Sequence, residues 1–191
     1  TKVTISATKD LAMTGNKANV NGNMSKSYRD MGGFAYLQGN AKLTLASEKG
    51  STLTIGDAKE TDKTVDSIAS SGSYSSSANE LVLKGNIVIN SSLEAFSDKI
   101  TVADDAHVTM STGFASDRIS LQNDVNAYPG IAYDDYGTSE LCLGKNATLS
   151  MGDLDINRAG WPGTAEQHAY ADPGVKITAS DNSTLNLNSL T

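Results

Sequence analysis

The sequence predicts an all-β fold, a right-handed parallel β-helix (a solenoid) of roughly seven to nine coils with loop excursions. Three observations carry that expectation. An apolar residue, a polar or small one and a second apolar one recur as Leu43-Thr44-Leu45, Leu53-Thr54-Ile55, Leu81-Val82-Leu83, Ile87-Val88-Ile89, Ile100-Thr101-Val102, Val108-Thr109-Met110 and Ile119-Ser120-Leu121. The pattern returns as Leu141-Cys142-Leu143, Leu149-Ser150-Met151, Leu154-Asp155-Ile156 and Leu185-Asn186-Leu187. Alternation with period two puts both apolar residues on one face of a strand. Second, the connections between neighbouring triplets are mostly short and rich in Gly, Asn, Asp and Ser, which are turn formers. Third, helical patterning of any length is confined to residues 58–69. Strands this short cannot each bury a face alone, so they must stack as repeats. The alternative is a pilin-like β-sandwich with residues 1–7 donated as a strand to a neighbour. A sandwich favours longer strands and Asn-Gly hairpins, and Asn21-Gly22 is the one Asn-Gly pair.

The elements follow in order. Val3-Thr4-Ile5 is one alternating pair, and residues 16–23 carry turn chemistry. Residues 31–37 form a strand entered from Gly32-Gly33. Residues 41–56 hold two strands separated by Glu48-Lys49-Gly50-Ser51. Residues 57–79 change to charge and then serine, an excursion that holds either a loop or a short helix over 58–69 with Val65 and Ile68 facing in. Residues 80–121 return five triplets, with turns at Gly85-Asn86, Ser91-Ser92, Asp104-Asp105 and Ser116-Asp117. Residues 122–138 and 157–174 are two further excursions, and Val175-Lys176-Ile177 resumes the strands. Residues 1–191 are read as one solenoid domain or a fragment of a longer one.

Composition narrows the classes. Leu, Ile, Val and Phe make up about a fifth of the 191 residues, which borders on disordered chains. Their ordered alternation and a net charge of only -7 argue for a thin, ordered core. The acidic balance argues against nucleic acid or an anionic membrane as partner. No apolar run is long enough to span a bilayer. The single cysteine, Cys142, allows no intrachain disulfide and reads as a small buried hydrophobe. Low cysteine with much Ser, Thr, Asn and Gly suits a bacterial secreted surface protein.

The stretches Asn40-Ala41-Lys42-Leu43-Thr44-Leu45, Gly50-Ser51-Thr52-Leu53-Thr54-Ile55, Asn146-Ala147-Thr148-Leu149-Ser150-Met151 and Asn182-Ser183-Thr184-Leu185-Asn186-Leu187 share one rung pattern. In these stretches the chain resembles the β-helical passenger domains of bacterial autotransporter-type adhesins and related pectate-lyase-like surface proteins. The likeness covers residues 40–190. It implies a rigid stalk on the bacterial cell surface, acting in adhesion, aggregation or biofilm formation. The implied partners are host or bacterial surface glycans or proteins, or a second copy of the chain, with no membrane insertion by this segment.

Candidate contact residues lie in the excursions, since loops on a rigid scaffold commonly carry binding. Tyr128, Tyr133 and Tyr136 fall in one excursion, and Trp161 and Tyr170 in another. Flat rings stack on sugar faces, and Asp135 can accept hydroxyl hydrogen bonds beside them. No catalytic residue, cofactor or metal is assigned. Two weaker constellations stand beside these. Asp104, Asp105 and His107 could cluster for acid–base or metal chemistry, but adjacent aspartates before Val108 read as a turn. Asp134, Asp135 and Glu140 could hold Ca²⁺, without the spacing of a calcium loop. The alternatives to an adhesin are therefore a polysaccharide lyase or hydrolase on the same scaffold, and a structural stalk or filament subunit. Asn-X-Ser/Thr sequons occur at Asn23, Asn90, Asn146 and Asn182, with no modification expected in a bacterial protein.

Overall fold

A computed structural model describes residues 1–17, 33–37, 39–62, 65–70, 79–91, 93–96, 99–110, 118–122, 139–157 and 175–190. They form sixteen strands and no helix. In chain order these are β1 (Lys2–Ala7), β2 (Leu11–Met13), β3 (Ala35–Leu37), β4 (Lys42–Ser47), β5 (Thr52–Ile55), β6 (Ile68–Ser70), β7 (Glu80–Lys84) and β8 (Asn86–Ile89). There follow β9 (Leu93–Phe96), β10 (Lys99–Val102), β11 (His107–Met110), β12 (Arg118–Gln122), β13 (Ser139–Leu143), β14 (Thr148–Asn157), β15 (Val175–Ala179) and β16 (Thr184–Leu190). All eleven triplets lie in strands.

Every pairing is parallel. From β1 to β11, each strand bonds to the strand three places later. One sheet runs β1-β4-β7-β10-β13-β15. The second runs β2-β5-β8-β11-β14 and returns through β12-β9-β6-β3, with β16 beside β14. The return works because β14 is long. Its first half pairs β11 and its second half pairs β12.

Register explains the core. Val3, Leu43, Leu81, Ile100, Leu141 and Ile177 stand in one column across the first sheet. Leu11, Leu53, Ile87, Val108, Leu149 and Leu185 stand in one column across the second. Leu45, Leu53, Ile55, Leu83, Ile89 and Leu149 are fully buried at the middle of the stack. Burying a leucine or isoleucine side chain contributes about 1.5–3 kcal/mol, so columns of like residues supply most of the cohesion between successive strands. Where the side chains are described, the residue between each apolar pair lies on the outer face; it is polar or small except at Val82 and Val88, which are half-buried.

Three expectations need correction. No helix spans 58–69: Ile68–Ser70 is a strand, and Asp66 adopts φ +55. An L-residue in the left-handed region cannot continue a right-handed helix. Val65 and Ile68 are nonetheless buried. Among the described residues the first sheet is six strands deep, against the seven to nine coils expected. Insertions lengthen the repeat, so that Asp105 and Asn146 sit one level apart yet 41 residues apart in sequence. The antiparallel sandwich is also excluded, because β1 pairs β4 in parallel within its own chain. The excursion at 57–79 contains β6, while 123–138 and 158–174 lie outside the described residues. Among the described residues no helix is long and apolar enough to cross a membrane.

Candidate functional site: a notch at one corner of the stack

The corner between the two sheets is built from repeated four-residue turns. In residues 48–51, 103–106, 144–147 and 180–183, the last N–H donates to the first carbonyl: Ser51 to Glu48, Ala106 to Ala103, Ala147 to Gly144 and Ser183 to Ser180. The third residue of each has positive φ: Gly50 at 85°, Asp105 at 57°, Asn146 at 56° and Asn182 at 59°. A turn with positive φ at its third position selects Gly, Asn or Asp there. The side chains then stack. Asn182 Nδ2 donates to Asn146 Oδ1 at 3.3 Å, and Asn146 Nδ2 donates to Asp105 Oδ1 at 2.8 Å. Gly144 is required beneath this ladder, since a Cβ there would lie 2.6 Å from the Asp104 nitrogen.

Two connections depart from the pattern: the three residues 8–10 join β1 to β2, and a single residue joins β7 to β8. Gly85 alone, at φ +81, joins β7 to β8. A Cβ on it would lie 2.6 Å from Ser47 Oγ and closer still to the Ser47 carbonyl oxygen. Ser47 Oγ instead accepts the Asn86 N–H at 2.7 Å. With this connection shorter than the turns above and below, the corner is notched. The notch has a volume of about 480 Å³ and is lined by Glu48, Lys49, Lys84, Asp104, Asp105 and His107, among others.

The two aspartates are turn residues, as their spacing suggested. Asp104 Oδ1 accepts the Lys145 N–H at 2.8 Å, and Asp105 Oδ1 is held by Asn146. What the sequence did not reveal is the company they keep. Lys84 ends a strand and Lys49 sits in the turn of the level before, so only the stacking brings two ammonium groups to the same notch as His107. The lining can meet a ligand's anionic groups through lysine and its hydroxyl groups through carboxylate. Among the described residues no group of three or more His, Cys, Asp or Glu is placed to hold a metal ion.

Two other polar features occur. On the outer face of the first sheet Lys2, Lys42, Glu80, Lys99, Glu140 and Lys176 form one column. Its contacts are Lys42–Glu80 at 2.6 Å, Lys99–Glu140 at 3.7 Å and Lys176–Glu140 at 3.9 Å. Glu140 thus belongs to this ladder. Cys142 lies in the next outward column between Thr101 and Thr178; it is half-buried rather than a core residue, because it is the middle residue of its triplet. Inside a second corner, Asp66 is 1% exposed. Its carboxylate accepts the N–H of Gly15 at 2.8 Å, the N–H of Asn16 at 2.7 Å and Asn16 Nδ2 at 2.6 Å.

The aromatic candidates Tyr128, Tyr133, Tyr136, Trp161 and Tyr170, with Asp134, Asp135 and His168, lie outside the described residues. Of the sequons, Asn90 is buried, its Nδ2 donating to the Gly56 carbonyl at 3.1 Å. Comparison with protein-family models, with curated proteins and with solved structures found no match to this chain.

Proposed function

We propose that the chain is a stretch of right-handed parallel β-helix serving as an adhesin segment on a bacterial cell surface. A crossover between parallel strands is right-handed in nearly all proteins, and successive three-strand units here repeat the same register. The carrying observation is the division of the described strands into apolar inward columns and outward columns rich in Thr, Ser, Asn, Lys and Glu. That arrangement makes a rigid body with regular polar faces. Such a body suits many weak contacts displayed together, where linkage raises avidity without any single strong contact. Its partners are surface glycans or proteins, and its contacts lie at the notch and on the loops that carry Tyr128, Tyr133, Asp135, Tyr136, Trp161 and Tyr170.

One observation favours a second reading, a polysaccharide lyase or hydrolase. The notch gathers Asp104, Asp105 and His107 with Lys49 and Lys84, so acids and bases share one cleft as sugar cleavage requires. One experiment separates the readings. Immobilised glycans are incubated with the protein, with and without Ca²⁺, and the supernatant is analysed for released sugar. The adhesin reading expects retention without release. Weakening by Trp161→Ala or Tyr133→Ala assigns the contact to the loops, and weakening by Lys84→Ala or His107→Ala assigns it to the notch. Released sugar overturns the adhesin reading.

A further inference from the structure

We propose that the notch binds an N-acetylated sugar, whose acetamido group takes the place of a backbone amide that one level of the stack lacks. The inference deepens the glycan-binding reading above and rests on it. In the corner turns, the peptide between the second and third residues points its N–H at the next level and its carbonyl at the level before. Thus the Asp105 N–H donates to the Lys145 carbonyl at 2.8 Å, and the Asn146 N–H to the Asp181 carbonyl at 2.9 Å. These amides form a column across the levels, and the column breaks at the notch. Leu83 and Asn86 pair with Val102 and His107, yet they enclose two residues where Val102 and His107 enclose four. The Gly85 carbonyl accepts the His107 N–H as the Ala106 carbonyl accepts that of Thr148. Gly85 therefore holds the fourth position of a turn and Lys84 the first. The second and third positions, with the peptide between them, do not exist at this level.

Two backbone groups stand at the ends of the break. From the level before comes the N–H of Gly50, the third residue of its turn. From the level after comes the carbonyl of Asp104, the second residue of its turn. Among the described residues neither group has a backbone partner, and both residues line the notch. Neighbouring strands lie about 4.8 Å apart, so the two flanking levels are about 10 Å apart. One trans secondary amide, hydrogen-bonded at both ends, spans that distance, as the column does at its other levels. An acetamido group has the same planar trans geometry as a peptide. Its oxygen accepts the Gly50 N–H, and its N–H donates to the Asp104 carbonyl.

The rest of the lining selects a sugar over a peptide. Asp104 Oδ1 and Asp105 Oδ1 are used within the turn ladder. The second oxygen of each, with the Glu48 carboxylate, is left to accept hydroxyl hydrogen bonds, which a sugar ring supplies and a peptide backbone does not. A peptide would also bring further amides, and the break accepts one. Lys49 and Lys84 are in no ion pair among the described residues, so an acetamido sugar that also carries a carboxylate gains a cation. The volume of about 480 Å³ is that of a small-ligand site.

Amide NMR of the isotope-labelled 191-residue chain, titrated with N-acetylglucosamine, N-acetylneuraminate, glucose and an acetylated dipeptide, tests this. N-acetylglucosamine should saturate and move the Gly50 amide proton downfield. Glucose, without the two amide hydrogen bonds, should bind at least about tenfold more weakly. N-acetylneuraminate should bind about threefold more tightly than N-acetylglucosamine, the scale of one exposed ion pair, and Lys84→Ala should remove that gain. Inserting an alanine and an asparagine between Lys84 and Gly85 restores a four-residue turn with asparagine third; it should complete the column and abolish binding. Urea unfolding checks that the insertion variant folds, and should it not, the Gly50 shift in the wild type still decides. Equal affinity for glucose and N-acetylglucosamine, saturation without a Gly50 shift, or binding that survives the insertion overturns the proposal. A dipeptide that binds as tightly as the sugar overturns the saccharide assignment, and no gain for N-acetylneuraminate overturns the part given to the lysines. Retention of glycans free of acetamido groups, with N-acetylglucosamine unbound, would refute this site and leave the adhesin reading standing. Retention of no glycan at all would refute both.

Discussion

Gly85 shows how much one residue can hold. Its positive φ costs a side chain about 1–2 kcal/mol wherever it occurs. Gly50 shares that backbone, but a Cβ there meets nothing within 4 Å. Gly50→Ala should therefore lower stability by only about 1–2 kcal/mol, the cost of the αL backbone alone. Gly85→Ala adds a clash with Ser47 and should cost about 2–4 kcal/mol, the range of strained or overpacked sites. Paired urea unfolding curves measure the difference. If the two variants match, the close approach at Ser47 is not what fixes this corner. Asp66 is a second such residue. Its carboxylate satisfies three N–H groups from Gly15 and Asn16. Asp66→Ala leaves those donors without it and should destabilise by about 2–4 kcal/mol, read as a fall in urea midpoint. An unchanged midpoint would mean that water or a local shift replaces the carboxylate.

Elements differ in what holds them. Glu140 stands between Lys99 and Lys176, yet its side chain is 30% exposed and its lysines 40% and 60%. Exposed ion pairs contribute at most about 1 kcal/mol, so Glu140→Gln should shift stability by less than that. Leu83→Ala, in a fully buried column, should cost about 2–5 kcal/mol. Thermal unfolding of the two variants checks the ranking, and a larger loss for Glu140→Gln would overturn it. The same contrast explains which strands the sequence announced. β4, β5, β10 and β11 alternate cleanly, because one face is apolar and the other wet, and β7 and β8 keep the period in burial although Val82 and Val88 stand on the outer face. β6 reads Ile-Ala-Ser and β9 reads Leu-Glu-Ala-Phe, so period two is faint or broken there. β2, Leu-Ala-Met, is apolar throughout and stands alone between polar stretches. Register was also hidden, since a slip of one residue exchanges the two faces. The notch was illegible for a different reason. Lys49, Lys84 and Asp104 are far apart in sequence, and only stacking with unequal insertions sets them side by side.

For the whole molecule, stability should be distributed along one axis. Each level touches mainly the levels before and after it, so total stability approximates a sum of level and interface contributions. Inner levels have two such interfaces and the end levels one. The burial pattern already shows the consequence: β7 and β10 alternate half-buried and buried, whereas β16 alternates exposed and half-buried. Opening an end therefore exposes little new apolar surface, while opening the middle breaks two interfaces. Native-state hydrogen exchange should follow that gradient. Amides of β1 and β16 are expected to exchange through local opening at low free energy. Those of β7, β8, β10 and β11 are expected to exchange only near global unfolding. Adding denaturant should merge the classes inward from both ends. Uniform protection across all levels at every concentration would mean that the molecule unfolds as one unit and that the one-dimensional account fails.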